Sequence, residues 1–240
     1  MTRLDQRMVQ EGLVPSRARA QALIAGGMVL VGGRRAAKAS DRADGQIEVM
    51  GPADPWVSRA AQKLLHALDH FELAPSGIAL DLGASTGGFT QVLLARGATL
   101  VHAVDVGHGQ MHADIAGDDR TVVYERTNAK NLPTDRIPPP DWITCDLSFI
   151  SLEKALPISL KHAKNGAYLI ALIKPQFEAG PDHIGKGGIV RDASIQHDVC
   201  MRIQNFLSIQ GWTILGLTNS PITGSDGNRE FLITAQKPTA

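Results

Sequence analysis

Four charged residues stand where an alternating series of strands and helices would gather them. Asp146 closes the apolar stretch 142–146, Lys174 follows the apolar stretch 168–173, and Glu230 precedes the last one, 231–235. Lys63 lies on an amphipathic segment with Leu64, Leu65 and Leu68 ahead of the first strand. If the apolar stretches belong to one sheet, Asp146 and Lys174 emerge at the same edge. A lysine whose pKa is lowered by burial or by a second cation can help to take a proton from a hydroxyl or to polarise its oxygen. Two lysines and two carboxylates would then form a charged cluster around a hydroxyl-bearing acceptor such as a ribose.

A ligand loop precedes them. Residues 78–90, IALDLGASTGGFT, read as a strand, a glycine-rich turn and a helix start, the arrangement by which an α/β sheet receives a ligand at its strand ends. Asp105 ends the next strand roughly 20 residues after the turn, where a carboxylate accepts hydrogen bonds from ribose hydroxyls. A dinucleotide fingerprint needs glycine where Ser85 stands, and it expects a pyrophosphate over the helix N-terminus. Asp81 suits another cargo, because a carboxylate before the turn can receive the ammonium of an amino-acid group. S-adenosylmethionine carries that group together with a sulfonium, which a phosphate cradle would not favour.

The residues around Asp146 narrow the methyl acceptor. Exocyclic amine chemistry usually takes Asn or Asp, two prolines and an aromatic, but Leu147, Ser148 and Phe149 follow Asp146 here. Cytosine C5 chemistry needs a thiolate, and Cys145 points to the opposite side of a strand from Asp146. The segment 180–187, GPDHIGKG, matches the Walker A spacing until Gly187 replaces the hydroxyl residue that holds magnesium, and Pro175 and Pro181 interrupt the strand-to-helix geometry. It reads as a flexible, basic substrate edge, and no metal is called for.

The elements that must position these groups follow from the patterning. Strands are expected at 78–82, 100–106, 122–124, 142–146, 168–173, 213–217 and 231–235, the last suited to an antiparallel place. Alternation with helices predicts a mostly parallel sheet covered on both faces. Residues 3–24 read as two short helices broken at 12–15, with Ser16 as a cap, and 28–31 and 46–49 as strands around a basic loop. Lysine plus arginine and aspartate plus glutamate both number 24, so charge must be sought locally. Arg17, Arg19, Arg34, Arg35 and Lys38 occur in 17–39 without one acidic residue. Two cysteines are too few for a disulfide framework. No apolar run approaches the ~20 residues of a membrane span, and the polar N-terminus lacks a signal-peptide core. A cytoplasmic location is expected.

With these motifs in place, the chain resembles the hemolysin A (TlyA) family, in which an S-four-type RNA-binding domain precedes an FtsJ-like methyltransferase domain. The resemblance runs through Arg3-Leu4-Asp5, WVSR at 56–59, LDLGASTGGFT at 80–90, AVDVGHGQ at 103–110 and ERTNAKNL at 125–132. It continues through DLSFISL at 146–152, LIKPQFEAG at 172–180, GKGGIVRD at 185–192 and SPITGSDGNREFL at 220–232. It implies an α/β, Rossmann-like class I methyltransferase sheet with a small N-terminal α+β domain, divided as 1–50, a linker at 51–57, and 58–240. It also implies 2′-O-methylation of ribosomal RNA, at cytidine, by a tetrad falling on Lys63, Asp146, Lys174 and Glu230. The cofactor is S-adenosylmethionine, its methionine end near Asp81, Gly83 and Ser85, its ribose on Asp105 and its adenine near Asn128 and Ala129. Thr86, Gly87, Gly88, Phe89 and Asp146 complete that site. Arg3, Arg17, Arg19, Arg34, Arg35 and Lys38 are the expected RNA contacts, on ribosomal RNA or ribosomal subunits, with a monomer as the working unit. His108 stands where tyrosine is usual, and Ala60-Ala61-Gln62 where glycine is common. Two alternatives stay open: a membrane-active protein of the kind the name hemolysin suggests, and a ribosome-assembly binder with secondary methyl transfer.

Overall fold

An apolar run without polar gaps, such as 168–173, is stable as a strand only where helices cover both faces of its sheet. A computed structural model describes residues 2–41, 44–49, 55–224 and 227–239, and its contacts divide the chain into two units, Met1–Pro55 and Trp56–Ala240. Positions 51–54 of the expected linker lie outside the described residues.

The first unit holds α1 (Leu4–Gln10), α2 (Arg17–Ala25), β1 (Val29–Val31), β2 (Arg34–Arg35) and β3 (Ile47–Val49). Ser16 caps α2, its hydroxyl accepting from the Arg19 amide at 3.3 Å. Leu4, Met8, Ala20, Ile24, Val29 and Ile47 form its core. The expected loop after β1 contains a strand: Gly32 and Gly33 both adopt positive φ, 54° and 78°, which a tight hairpin turn requires, so Arg34–Arg35 fold back on β1.

The second unit follows as α3 (Ala61–His70), β4 (Gly77–Leu82), α4 (Gly88–Ala95), β5 (Ala98–Val104), α5 (Ala113–Ala116), β6 (Thr121–Tyr124), β7 (Trp142–Cys145), α6 (Leu152–Ala155), α7 (Pro157–His162), β8 (Tyr168–Ile173), α8 (Pro175–Glu178), α9 (Ala193–Ile209), β9 (Thr213–Asn219) and β10 (Phe231–Gln236). Its sheet has the order β6-β5-β4-β7-β8-β10-β9. Neighbours from β6 to β8 are parallel, and β10 is antiparallel to both β8 and β9. The period-two alternation of β8 splits its apolar residues between two cores. Leu169, Ala171 and Ile173 pack with α7 and α9, and Ile170 and Leu172 pack with α3 and α4. Both cysteines are buried and free, and burial pushes the Cys145 thiol up to about 12, which removes it as a thiolate.

Candidate active site

Because β4, β7 and β8 are adjacent and parallel, the residues following each meet at one sheet edge: Gly83, Asp146 and Lys174. Helix α3 brings Lys63 to that edge and the antiparallel β10 brings Glu230. Lys174 Nζ lies 2.5 Å from Asp146 Oδ1 and donates to Ser148 Oγ at 3.1 Å. Lys63 Nζ donates to Glu230 Oε2 at 2.5 Å and lies 3.9 Å from the other Asp146 oxygen. Lys63, Lys174 and Glu230 are each more than nine-tenths buried. Two cations balance two anions, which offsets the cost of removing four charges from water. All four side chains line one cavity of about 430 Å³, within the usual range of ligand sites. The alanines ahead of Lys63 leave its reach to Glu230 intact.

The glycine-rich loop forms another wall. Gly83 has φ +84°, and a Cβ there would stand 2.6 Å from the Asp146 carbonyl oxygen. Gly87 caps α4 with φ +94°, and a Cβ on Gly88 would collide with the Ser58 hydroxyl. Asp105 holds the loop: Oδ2 accepts from the Ser85 amide at 2.8 Å and Oδ1 from the Gly107 amide at 2.7 Å. With that amide turned toward a carboxylate, the loop is a poor cradle for pyrophosphate and suits a cationic ligand.

Gly83, Ser85, Thr86, Gly88 and Phe89 line the cavity, and Gln176 adds a buried side-chain oxygen with no partner among the described residues. A second hollow of about 570 Å³ shares Ser148, Phe149 and Phe177 with it and is lined by Asn128 and Ala129. The Asn128 side chain caps a 3₁₀ turn there, accepting from the Lys130 amide at 3.0 Å. These surroundings fit S-adenosylmethionine: a crowded glycine turn, an uncommitted polar oxygen, carboxylates and a net-neutral wall.

Asp81 is not brought to the cavity. It is fully buried beneath the loop, its oxygens accepting from Thr90 Oγ1 at 2.7 Å and Thr144 Oγ1 at 2.9 Å, and burial pushes its carboxyl up to about 6. It braces β4 against α4 and β7. His108 pairs with Glu125 on the exposed outer side of the loop that follows β5.

Some contributors escaped the sequence reading. Ser148 joins the Lys174 contact, and Phe149 stands 90% exposed with φ +65°, its ring 4.9 Å from Phe177. Its signal was an aromatic three residues after a strand-end aspartate. In the first unit, Asp5 is wholly buried and organises the cations. Arg3 donates to it at 3.0 and 3.2 Å, Arg17 at 3.0 Å and Gln21 at 2.8 Å. Arg3, Arg17, Arg34, Arg35 and Lys38 are exposed, and Arg19 is half-buried.

Comparison with known proteins gives two family matches: an FtsJ-like methyltransferase over residues 56–237 and an S4 domain over residues 2–46. The 16S/23S rRNA (cytidine-2′-O)-methyltransferase TlyA of Mycobacterium tuberculosis is 40% identical, over 99% of this chain and 90% of its own length. Hemolysin A of Brachyspira hyodysenteriae is also 40% identical, over 96% of this chain and 98% of its own. A solved structure from Streptococcus thermophilus, described as a hemolysin, superposes with a TM-score of 0.79 at 38% identity, covering 100% of this chain and 89% of that one. Among the described residues no helix is long and apolar enough to cross a membrane.

Proposed function

Because the chain belongs to the FtsJ-like methyltransferase family and carries an S4 domain ahead of the catalytic unit, we propose that it methylates a ribose 2′-hydroxyl of ribosomal RNA, at cytidine, using S-adenosylmethionine. The observation that carries this reading is the pair of buried lysines, each held by its own carboxylate, on the wall of the cavity beside the glycine-rich loop. That arrangement suits a hydroxyl acceptor, and the high thiol pKa of Cys145 argues against covalent attack on a base.

S-adenosylmethionine, when bound, supplies an electrophilic methyl group on a sulfonium. Asp105, Gly83, Ser85 and the Asn128–Ala129 turn hold it, with Asp81 bracing the loop from beneath. Lys174, fixed by Asp146 and Ser148, orients the ribose hydroxyl and stabilises the negative charge on its oxygen as the hydroxyl proton passes to solvent. Lys63, fixed by Glu230, adds a second cation. Arg3, Arg17, Arg19, Arg34, Arg35 and Lys38 hold RNA phosphates.

The four tetrad residues come from a single chain, so a monomer suffices, and its ribosomal substrate puts it in the cytoplasm away from membranes. Light scattering during size-exclusion chromatography checks the first of these. Mass mapping of ribose methylation in ribosomal RNA, with and without the protein, tests the function. A protein-dependent 2′-O-methylcytidine is expected; a base methylation, or no difference, refutes the proposal.

A further inference from the structure

Residues 222–224 and Glu230 wall the catalytic cavity on one side, and a further hollow of about 280 Å³ lies against the same stretch. It is lined by 219–223, Arg229 and Glu230, and it shares Ile222, Thr223 and Glu230 with the cavity, so the two are neighbours. A strand of RNA carries a phosphate on either side of every ribose within it. A ribose seated at the tetrad therefore sends its chain out along the cavity rim.

Arg229 is exposed and has no ion pair or hydrogen bond among the described residues. Other cations on this unit's surface are spent: Arg96, Arg120, Lys164 and Arg202 each meet a carboxylate at 2.7–3.3 Å. The backbone beneath Arg229 is nevertheless held on both sides. Asn228 is fully buried, its side chain accepting from the Val190 amide at 3.1 Å and donating to the Gly188 carbonyl at 3.0 Å. Glu230 is buried as well, its carbonyl accepting from the Ser220 amide at 2.9 Å. A free guanidinium on a fixed backbone needs little ordering when a ligand arrives.

The hollow is also the right charge for an anion. Its carboxylate, Glu230, is matched by Lys63 at 2.5 Å, which leaves Arg229 as the uncompensated charge. The Ser220 hydroxyl donates to the Ile222 carbonyl at 2.6 Å and so closes the turn, while the exposed Asn219 amide has no partner among the described residues. None of the glycine-rich loop lines this hollow, so the anion is not the carboxylate of the cofactor's methionine end.

We infer that this hollow is the subsite of the nucleotide next to the methylated one, with Arg229 gripping the phosphate between the two. The planar guanidinium meets two phosphate oxygens at once, and Asn219 offers an amide to the sugar or base beyond. The inference rests on the cavity being the methyl-transfer site for RNA.

The test uses the full chain, ribosomal RNA and S-adenosylhomocysteine. Arg229→Ala should raise KM for RNA by about 10-fold, the weaker end of a charge-assisted hydrogen bond, with kcat held within about 2-fold. Its RNA binding should depend less steeply on salt, by about 0.7–0.9 in the log–log slope for one lost phosphate contact, with S-adenosylhomocysteine affinity unchanged. Arg229→Lys keeps the cation without the fork, so it should restore the slope but only part of KM. Arg120→Ala removes an equal charge at the opposite sheet edge, ahead of β6, and should change neither.

Parental KM and slope in Arg229→Ala, an equal loss in Arg120→Ala, or weakened S-adenosylhomocysteine binding overturns the inference. If Arg229→Ala does not fold, Arg229→Gln compared with Arg229→Lys decides. A parent that transfers nothing to ribose refutes the functional reading instead, and the salt slopes, which need no turnover, still support or overturn the phosphate contact.

Discussion

Replacing Lys174 with alanine removes the Nζ that lies 2.5 Å from Asp146 and 3.1 Å from Ser148, and leaves the cavity wall one charge more negative. Asp146 keeps Lys63 at 3.9 Å, so the stability cost is that of a partly satisfied carboxylate, about 1–3 kcal/mol, and a domain with ~5–15 kcal/mol in hand stays folded. The catalytic cost is larger. A cation about 4 Å from a developing oxyanion, at an effective dielectric of about 20, contributes ~4 kcal/mol, which corresponds to about a thousandfold in rate. This falls inside the ~10²–10⁴-fold range of a positioned acid–base group. The assay is single-turnover transfer of labelled methyl to ribosomal RNA, with calorimetric affinity for S-adenosylhomocysteine and RNA affinity measured in parallel. Both affinities should stay near parental while transfer collapses. The parental product should resist alkaline cleavage on the 3′ side of the modified nucleotide, because the attacking hydroxyl is blocked. Parental single-turnover rates in Lys174→Ala, or a product still cleaved there, would sink the assigned role of Lys174.

Asp105→Ala should weaken cofactor binding by roughly 1.5–3 kcal/mol, the cost of a charged hydrogen bond, and unchanged calorimetric affinity in a folded variant would remove Asp105 from the site. Gly83→Ala forces a side chain into φ +84° and to 2.6 Å from the Asp146 carbonyl oxygen, so it should lower the melting temperature through about 1–3 kcal/mol of strain and abolish transfer; a parental melting temperature contradicts this. Hydrogen bonds from Arg3, then Gln21 and Arg17, hold the Asp5 carboxyl well below the usual carboxylate range. A depressed folded pKa gives stabilisation that is present above the unfolded value of about 4 and lost as pH falls through the folded one, so the first unit should weaken below about pH 4 and Asp5→Asn should flatten that dependence in NMR-monitored acid titration. A chain starting at Trp56 should keep cofactor affinity but lose most RNA affinity and bind with a shallower salt dependence, each lost phosphate contact reducing the log–log slope by about 0.7–0.9; equal slopes would show that the first unit does not hold RNA.

Local chemistry was legible in the sequence wherever one stretch of chain decides it. The glycine-rich turn announces itself because residues with positive φ and no room for a Cβ must be glycine, as at Gly83 and Gly87. The strand ends bearing Asp146 and Lys174 follow from apolar runs that only a doubly covered sheet can bury. The cap at Ser16 follows from residue type alone. Arg34–Arg35 was missed as a strand because so short a segment has no period of its own and exists only by pairing with β1.

What the tertiary structure decided are contacts between residues far apart in the chain. Lys63 and Glu230, 167 positions apart, meet only because β10 inserts beside β8 while α3 packs over the same face. Asp81 looked like a ligand for an amine, and its residue type gave no sign that the hydroxyls of Thr90 and Thr144 would occupy both of its oxygens. Asp5 was an unremarkable carboxylate until folding buried it among Arg3, Arg17 and Gln21. The sequence determined which groups are available and which strand end each occupies, because backbone conformation and apolar periodicity are local properties. Only the folded chain decided which charges face one another, because burial and distance depend on the order in which strands join the sheet.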